Sequence, residues 1–168
     1  PAVIAKGHHT HHNAVDRTWA SMSSPQQLGR ELYKLCRDST GSDPTERAAL
    51  LGAVQALLDR EADTLYADAA GWTALMKACE NGHRDVAELL LDRNADVGQA
   101  DNNGVTALMM ACYNGHRDVV EFILDRGADV GQARKDGMTA LMMACYGGHR
   151  DVAELLLDRG ADVGQANK

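Results

Sequence analysis

The sequence predicts an all-α solenoid of stacked helix-turn-helix units joined by β-turn or hairpin loops, and three observations carry the prediction. The first is a strict period: Gly71, Gly104 and Gly137 are 33 residues apart, as are Thr73, Thr106 and Thr139, and His83, His116 and His149. The second is that each unit alternates apolar runs of helical spacing with Gly or Asn breakers. The third is composition: aromatic residues make up 4% of the chain, with a single Phe, so the core must be built from Leu, Val, Ala, Met and Cys. Small apolar residues suit closely packed short helices. One such unit cannot bury its apolar face alone, so the units must stack into a continuous core.

From the N-terminus, residues 1–23 read as a flexible extension containing His8, His9, His11 and His12. Clustered neutral imidazoles can bind zinc, nickel or copper. No Cys or carboxylate stands at a ligand-like spacing beside them, so the segment reads as a tail or a purification segment and no metal site is assigned. Residues 24–67 form a degenerate N-terminal capping repeat. Ser24-Pro25-Gln26-Gln27 and Asp43-Pro44-Thr45-Glu46 each place a cap, a first-turn Pro and a Gln or Glu at the third helical position, and so start two helices. Leu57-Leu58-Asp59-Arg60-Glu61-Ala62-Asp63 lies 33 positions before Leu90-Leu91-Asp92-Arg93-Asn94-Ala95-Asp96. Leu32-Tyr33-Lys34-Leu35-Cys36, by contrast, matches Leu75-Met76-Lys77-Ala78-Cys79 at an offset of 43, which implies an insertion with its loop at Ser39 to Asp43.

Three regular units follow, 68–100, 101–133 and 134–168, sharing the frame G-x-T-A-L-M-x-A-C-x-x-G-H-R-D-V-x-E-x-x-L-D-R-x-A-D-V-G-Q-A. In each, Thr73, Thr106 or Thr139 caps a first helix through its hydroxyl. Gly82, Gly115 and Gly148 separate it from a second helix, whose positive dipole end carries Asp85, Asp118 or Asp151. Val86, Leu89 and Leu90 supply the buried face of that helix. Asn94, Gly127 and Gly160 end it, since these residues tolerate the left-handed conformation of a C-terminal cap. The frame resembles the ankyrin repeat, and three in-phase copies make the match specific. The resemblance sharpens the fold class to an ankyrin-repeat solenoid. The third unit keeps the apolar pattern Ala153, Leu155, Leu156 and Leu157 and has no polar C-terminal cap, so further chain or another molecule is expected to cover that face.

Chemistry is constrained mainly by exclusion. A formal charge of −7 argues against tracking nucleic-acid phosphates, whose binding needs clustered Lys and Arg, and favours a basic or neutral protein partner. Every apolar run is broken by charge before the roughly 20 residues needed to cross a bilayer, which speaks against membrane insertion. His-Arg-Asp at 83–85, 116–118 and 149–151 mimics a kinase catalytic loop, but three periodic copies without the companion motifs remove that reading. Cys36, Cys79, Cys112 and Cys145 are one slot repeated. Neighbouring helices about 8–10 Å apart cannot bring them within disulfide reach, so they read as small buried core thiols. Reduced thiols fit an intracellular setting, cytoplasmic by default, with an organelle reached after transit-peptide removal as the alternative. No catalytic residue, cofactor or metal is implied.

The resemblance adds expectations of its own. It implies that the repeated His ties adjacent turns together by hydrogen bonds. It also implies a concave recognition surface made by the turn tips and the first-helix face. The slots that differ between repeats there are Trp72, Lys77 and Glu80; Asn102, Asn103, Val105, Met110, Tyr113 and Asn114; and Lys135, Asp136, Met138, Met143 and Tyr146, with Ala69, Ala70 and Asn81 beside them. Exposed variation concentrated in such slots is what a recognition surface shows, with Trp72, Tyr113 and Tyr146 as anchors. Thr-Ala-Leu-Met replaces the family's usual Thr-Pro-Leu-His, so a Thr-to-His network is missing and Met76, Met109 and Met142 fill the space. Gly98, Gly131 and Gly164 stand where the family often carries a hydroxylatable Asn. The primary reading is a module that binds another protein; the alternative is a structural subunit built into a larger complex through its N-terminal extension or its last repeat.

Overall fold

The computed structural model describes residues 24–39 and 43–164. The expected His-containing extension, most of the expected inserted loop and residues 165–168 lie outside them. The described residues form eight helices: α1 Pro25–Asp38, α2 Pro44–Asp59, α3 Ala74–Glu80, α4 Arg84–Asp92, α5 Ala107–Tyr113, α6 Arg117–Asp125, α7 Ala140–Tyr146 and α8 Arg150–Asp158. They pair as four antiparallel layers. The first helices stack in one row, α1 on α3 on α5 on α7, and the second helices stack in another, α2 on α4 on α6 on α8.

Local chemistry starts each element where the residues require it. The Ser24 hydroxyl accepts from the Gln27 N–H while the Gln27 side chain accepts from the Ser24 N–H, closing a full capping box. The Asp43 carboxylate accepts from the Glu46 N–H at 2.8 Å. Thr73, Thr106 and Thr139 cap α3, α5 and α7 by accepting from Met76, Met109 and Met142. Each of these caps is worth about 1 kcal/mol. Between α2 and α8 the layers are joined by hairpin tips closed by single antiparallel bridges, Ala67 with Thr73, Ala100 with Thr106 and Ala133 with Thr139.

The core runs without interruption through all four layers: Leu32, Val54, Leu75, Leu90, Leu108, Ile123 and Leu156 are all buried. On α4 the buried arc is Val86, Ala87 and Leu90, and Leu89 is only partly buried. The expected arc is shifted because α4 is flanked by both α2 and α6. The histidines tie layers as the resemblance implied. His83, His116 and His149 place Nε2 3.1, 3.0 and 3.0 Å from the carbonyls of Ser39, Glu80 and Tyr113 in the preceding layer. A carbonyl only accepts, so Nε2 carries the proton. On the second-helix side a ladder of Arg93 to Asp59, Arg126 to Asp92 and Arg159 to Asp125, at 2.7–2.9 Å, links successive layers. These pairs are solvent-exposed and add little individually.

One expectation fails at the last layer. Cys36, Cys79 and Cys112 are buried, but Cys145 is exposed. The slot is covered by the following layer rather than by its own unit, and among the described residues no layer follows α7. For the same reason Leu157 and Val163 are exposed, whereas Leu155 and Leu156 face inward and are buried.

Candidate functional site

The hairpin tips form a continuous edge. Each tip is closed by reciprocal backbone hydrogen bonds, such as Asp101 N–H to the Val105 carbonyl at 2.9 Å and Gly104 N–H to the Asp101 carbonyl at 3.0 Å. Adjacent tips are zipped together: the Asn102 N–H donates to the Ala70 carbonyl and the Lys135 N–H to the Asn103 carbonyl, both at 2.9 Å. Within the first two tips an Asp organises the backbone. Asp68 Oδ1 accepts from the Ala70 and Trp72 N–H groups, and Asp101 Oδ1 accepts from those of Asn103 and Val105. These bonds hold the Asp68 carboxyl below its usual range although burial pushes the other way. The third tip has Arg134 in that slot. Asp136 substitutes in part, accepting from the Met138 N–H at 3.2 Å and pairing with the Arg134 guanidinium at 3.0 Å.

Beside the tips, the first-helix row opens into a cleft of about 470 Å³ lined by Glu80, Met110, Tyr113, Asn114, Arg134, Met138, Met143 and Tyr146. The rings of Tyr113 and Tyr146 stack there, 6.1 Å apart with 20° between planes. Tyr146 is 76% exposed and Tyr113 42%. Met110 and Met143 line the cleft although they are buried, and Met138 packs half-buried against the core. Asn114 is exposed, with its amide donating to the Met110 carbonyl.

Several expected recognition residues are otherwise engaged. Val105 is buried and is not a surface residue, because its side chain closes the core behind the second tip. Met110 and Met143 are likewise buried core residues. Trp72 is not a free anchor: it is partly buried, and Lys77 Nζ sits 3.9 Å from its ring centroid while also pairing with Glu80 at 2.8 Å. The Asn102 amide donates to the Ala69 carbonyl, so it serves the edge. Asn103, Lys135 and Asp136 are exposed on the tips. The cleft therefore unites Glu80, Met110, Tyr113, Asn114, Met138, Met143 and Tyr146, and leaves Trp72, Lys77, Asn102, Asn103, Val105, Lys135 and Asp136 outside its lining. Arg134 was missed, although its signal was present: it breaks the Asp68, Asp101 series at a fixed slot.

A second groove of about 900 Å³ runs between α1 and α2, floored by Leu35, Leu50 and Leu57 with Glu31, Lys34 and Asp38 among its polar lining. Among the described residues there is no group of three or more His, Cys, Asp or Glu placed to hold a metal, and no helix long and apolar enough to cross a membrane.

Stacked helix pairs joined by zipped hairpin tips define a helical repeat protein. The family described as Ankyrin repeats (3 copies) matches residues 45–134, and the family described as Ankyrin repeat matches residues 136–168. The chain belongs to the ankyrin-repeat family. Ankyrin repeats are generally protein–protein interaction modules, typically without catalytic activity. No curated protein matches the chain in a sequence search.

Proposed function

We propose that this chain is a non-catalytic adaptor that binds a partner protein through the cleft on its first-helix row, with Tyr113 and Tyr146 as the anchors. The observation that carries the reading is the stacked tyrosine pair. Two large, rigid rings stand partly in solvent over a methionine floor, and exposed aromatic area of this kind is enriched at binding hot spots. The exposed tip residues Asn103, Lys135 and Asp136 would form the polar rim, and Trp72, with Lys77 and Glu80 holding it, would act as a rigid wall rather than an anchor. Residues 24–67 serve as the capping repeat. The acidic surface argues against nucleic acid as the partner, and protonated buried thiols fit a reducing, intracellular setting.

The test is affinity purification from native extract with the chain and a Tyr113→Ala, Tyr146→Ala double variant, each checked for unchanged helical content. A partner retained by the first and lost by the second supports the reading. Equal recovery by both baits removes the cleft from consideration.

A further inference from the structure

The third hairpin tip reverses the local charge of the site. The first two tips, Asp68-Ala69-Ala70 and Asp101-Asn102-Asn103, each carry one negative charge, whereas Arg134-Lys135-Asp136 carries a net positive one. The change has a structural cost. Asp68 and Asp101 each accept two backbone N–H groups, and the Arg134 side chain can accept none, so the 3.2 Å bond to Asp136 is the one side-chain bond to the backbone of that tip among the described residues, beside its backbone closures. Arg134 Nε is moreover a buried nitrogen without a hydrogen-bond partner among the described residues.

Its surroundings suggest what it is for. Arg134 lines the tyrosine cleft, and its guanidinium is held at one edge by Asp136. The other charged group in the lining, Glu80, is answered by Lys77 at 2.8 Å and does not neutralise it. Lys135 is exposed beside it and makes no ion pair among the described residues. The same cleft is lined by Met110, Met138 and Met143, soft and unbranched, which suits a linear aliphatic side chain. The chain's overall negative charge does not forbid an acidic ligand at this spot, because charges beyond about 8 Å are screened at physiological salt.

We infer that the cleft binds an extended segment of the partner in which an Asp or Glu side chain pairs with Arg134 while an adjacent Leu- or Met-like side chain lies on the methionine floor between Arg134 and the tyrosines. This rests on the cleft being the binding site and adds the chemistry of what it takes. The recognition is by side chain, with a charge-assisted pair giving specificity and the apolar contact giving area.

The probe is a displayed library of random linear peptides of about twelve residues, selected on the intact chain. Winning peptides are then titrated by fluorescence polarisation against four proteins: the unaltered chain, the Tyr113→Ala, Tyr146→Ala double variant, Arg134→Asp and Arg134→Lys. Arg134→Asp restores the residue that closes the two sister tips, so its folding is safeguarded. The expected result is enrichment of Asp or Glu next to Leu or Met. Affinity should fall about tenfold or more in Arg134→Asp and be partly kept in Arg134→Lys. Replacing the peptide carboxylate by its amide should weaken binding to the unaltered chain and should not weaken, and by relieving repulsion should strengthen, binding to Arg134→Asp. Peptides that need the tyrosines but are basic or neutral, or bind Arg134→Asp equally well, overturn this inference and leave the cleft as the binding site. Peptides indifferent to the tyrosines, or no enrichment at all, overturn both.

Discussion

The hydroxyl of Tyr33 donates a 2.7 Å hydrogen bond to Asp68, joining α1 to the first hairpin tip and so locking the N-terminal layer to the array of regular repeats. The bond spans 35 residues of sequence and neither partner's local pattern announces it. Burial first, and the Asp68 hydrogen bond second, push the Tyr33 phenol up to about 12 from 10.0.

A prediction follows for alkaline pH. Tyr33 stays neutral in the folded chain at pH values where the unfolded chain has already lost the proton. Its contribution is therefore complete below pH 10 and is lost as pH rises through about 12. Tyr33→Phe should cost about 1–2 kcal/mol in urea denaturation at pH 7, through the unpaired Asp68 oxygen. The gap to the unaltered chain should close between pH 10 and pH 12. A gap that is constant across that window would show that the hydroxyl is not linked to folding.

Thiol chemistry separates the layers. Burial pushes the Cys36 and Cys112 thiols up to about 12 and Cys79 upward as well, so in the folded chain these three are both shielded and protonated. Cys145 is exposed. Native titration with an aromatic disulfide reagent at neutral pH should label Cys145 quickly and the other three only on unfolding. A Cys145→Ser variant should then show no fast phase. Rapid labelling of a second thiol would mean that the array opens locally or packs differently.

The stack should also report which glycines are crowded. Gly82 and Gly148 share a left-handed backbone, φ 74° and 77°. A methyl at Gly82 would lie 2.7 Å from the His116 ring, while at Gly148 it would meet nothing within 4 Å. Gly148→Ala should cost only the conformational penalty of about 1–2 kcal/mol. Gly82→Ala should cost a further 1–3 kcal/mol, roughly, because His116 must give up its 3.0 Å bond to the Glu80 carbonyl. Equal thermal destabilisation of the two variants would contradict the tie between layers.

Much of this architecture was legible in the sequence because the signals are local. A Thr three residues before the N–H it caps, a Gly where the backbone turns left-handed and an apolar stripe along a short helix depend only on near neighbours, and the 33-residue period repeats them in phase. What a side chain does at the surface is not local. Helices α5 and α7 have the same sequence, Ala-Leu-Met-Met-Ala-Cys-Tyr, yet Cys112 is buried and Cys145 exposed, and Tyr146 is far more open than Tyr113. Helices α4 and α8 are also identical, and Ala87 is buried where Ala153 is only partly so. In a stack, each residue's cover comes from the next layer, so two identical segments differ only through what lies above them. Val105 looked available although the core already holds it, Trp72 is held by Lys77 within its own repeat, and layer packing brought Arg134 of the third tip to a cleft it shares with Glu80 of the first unit. The residues specify the repeat and its caps; the packing of one layer against another decides which of them remain free to meet a partner.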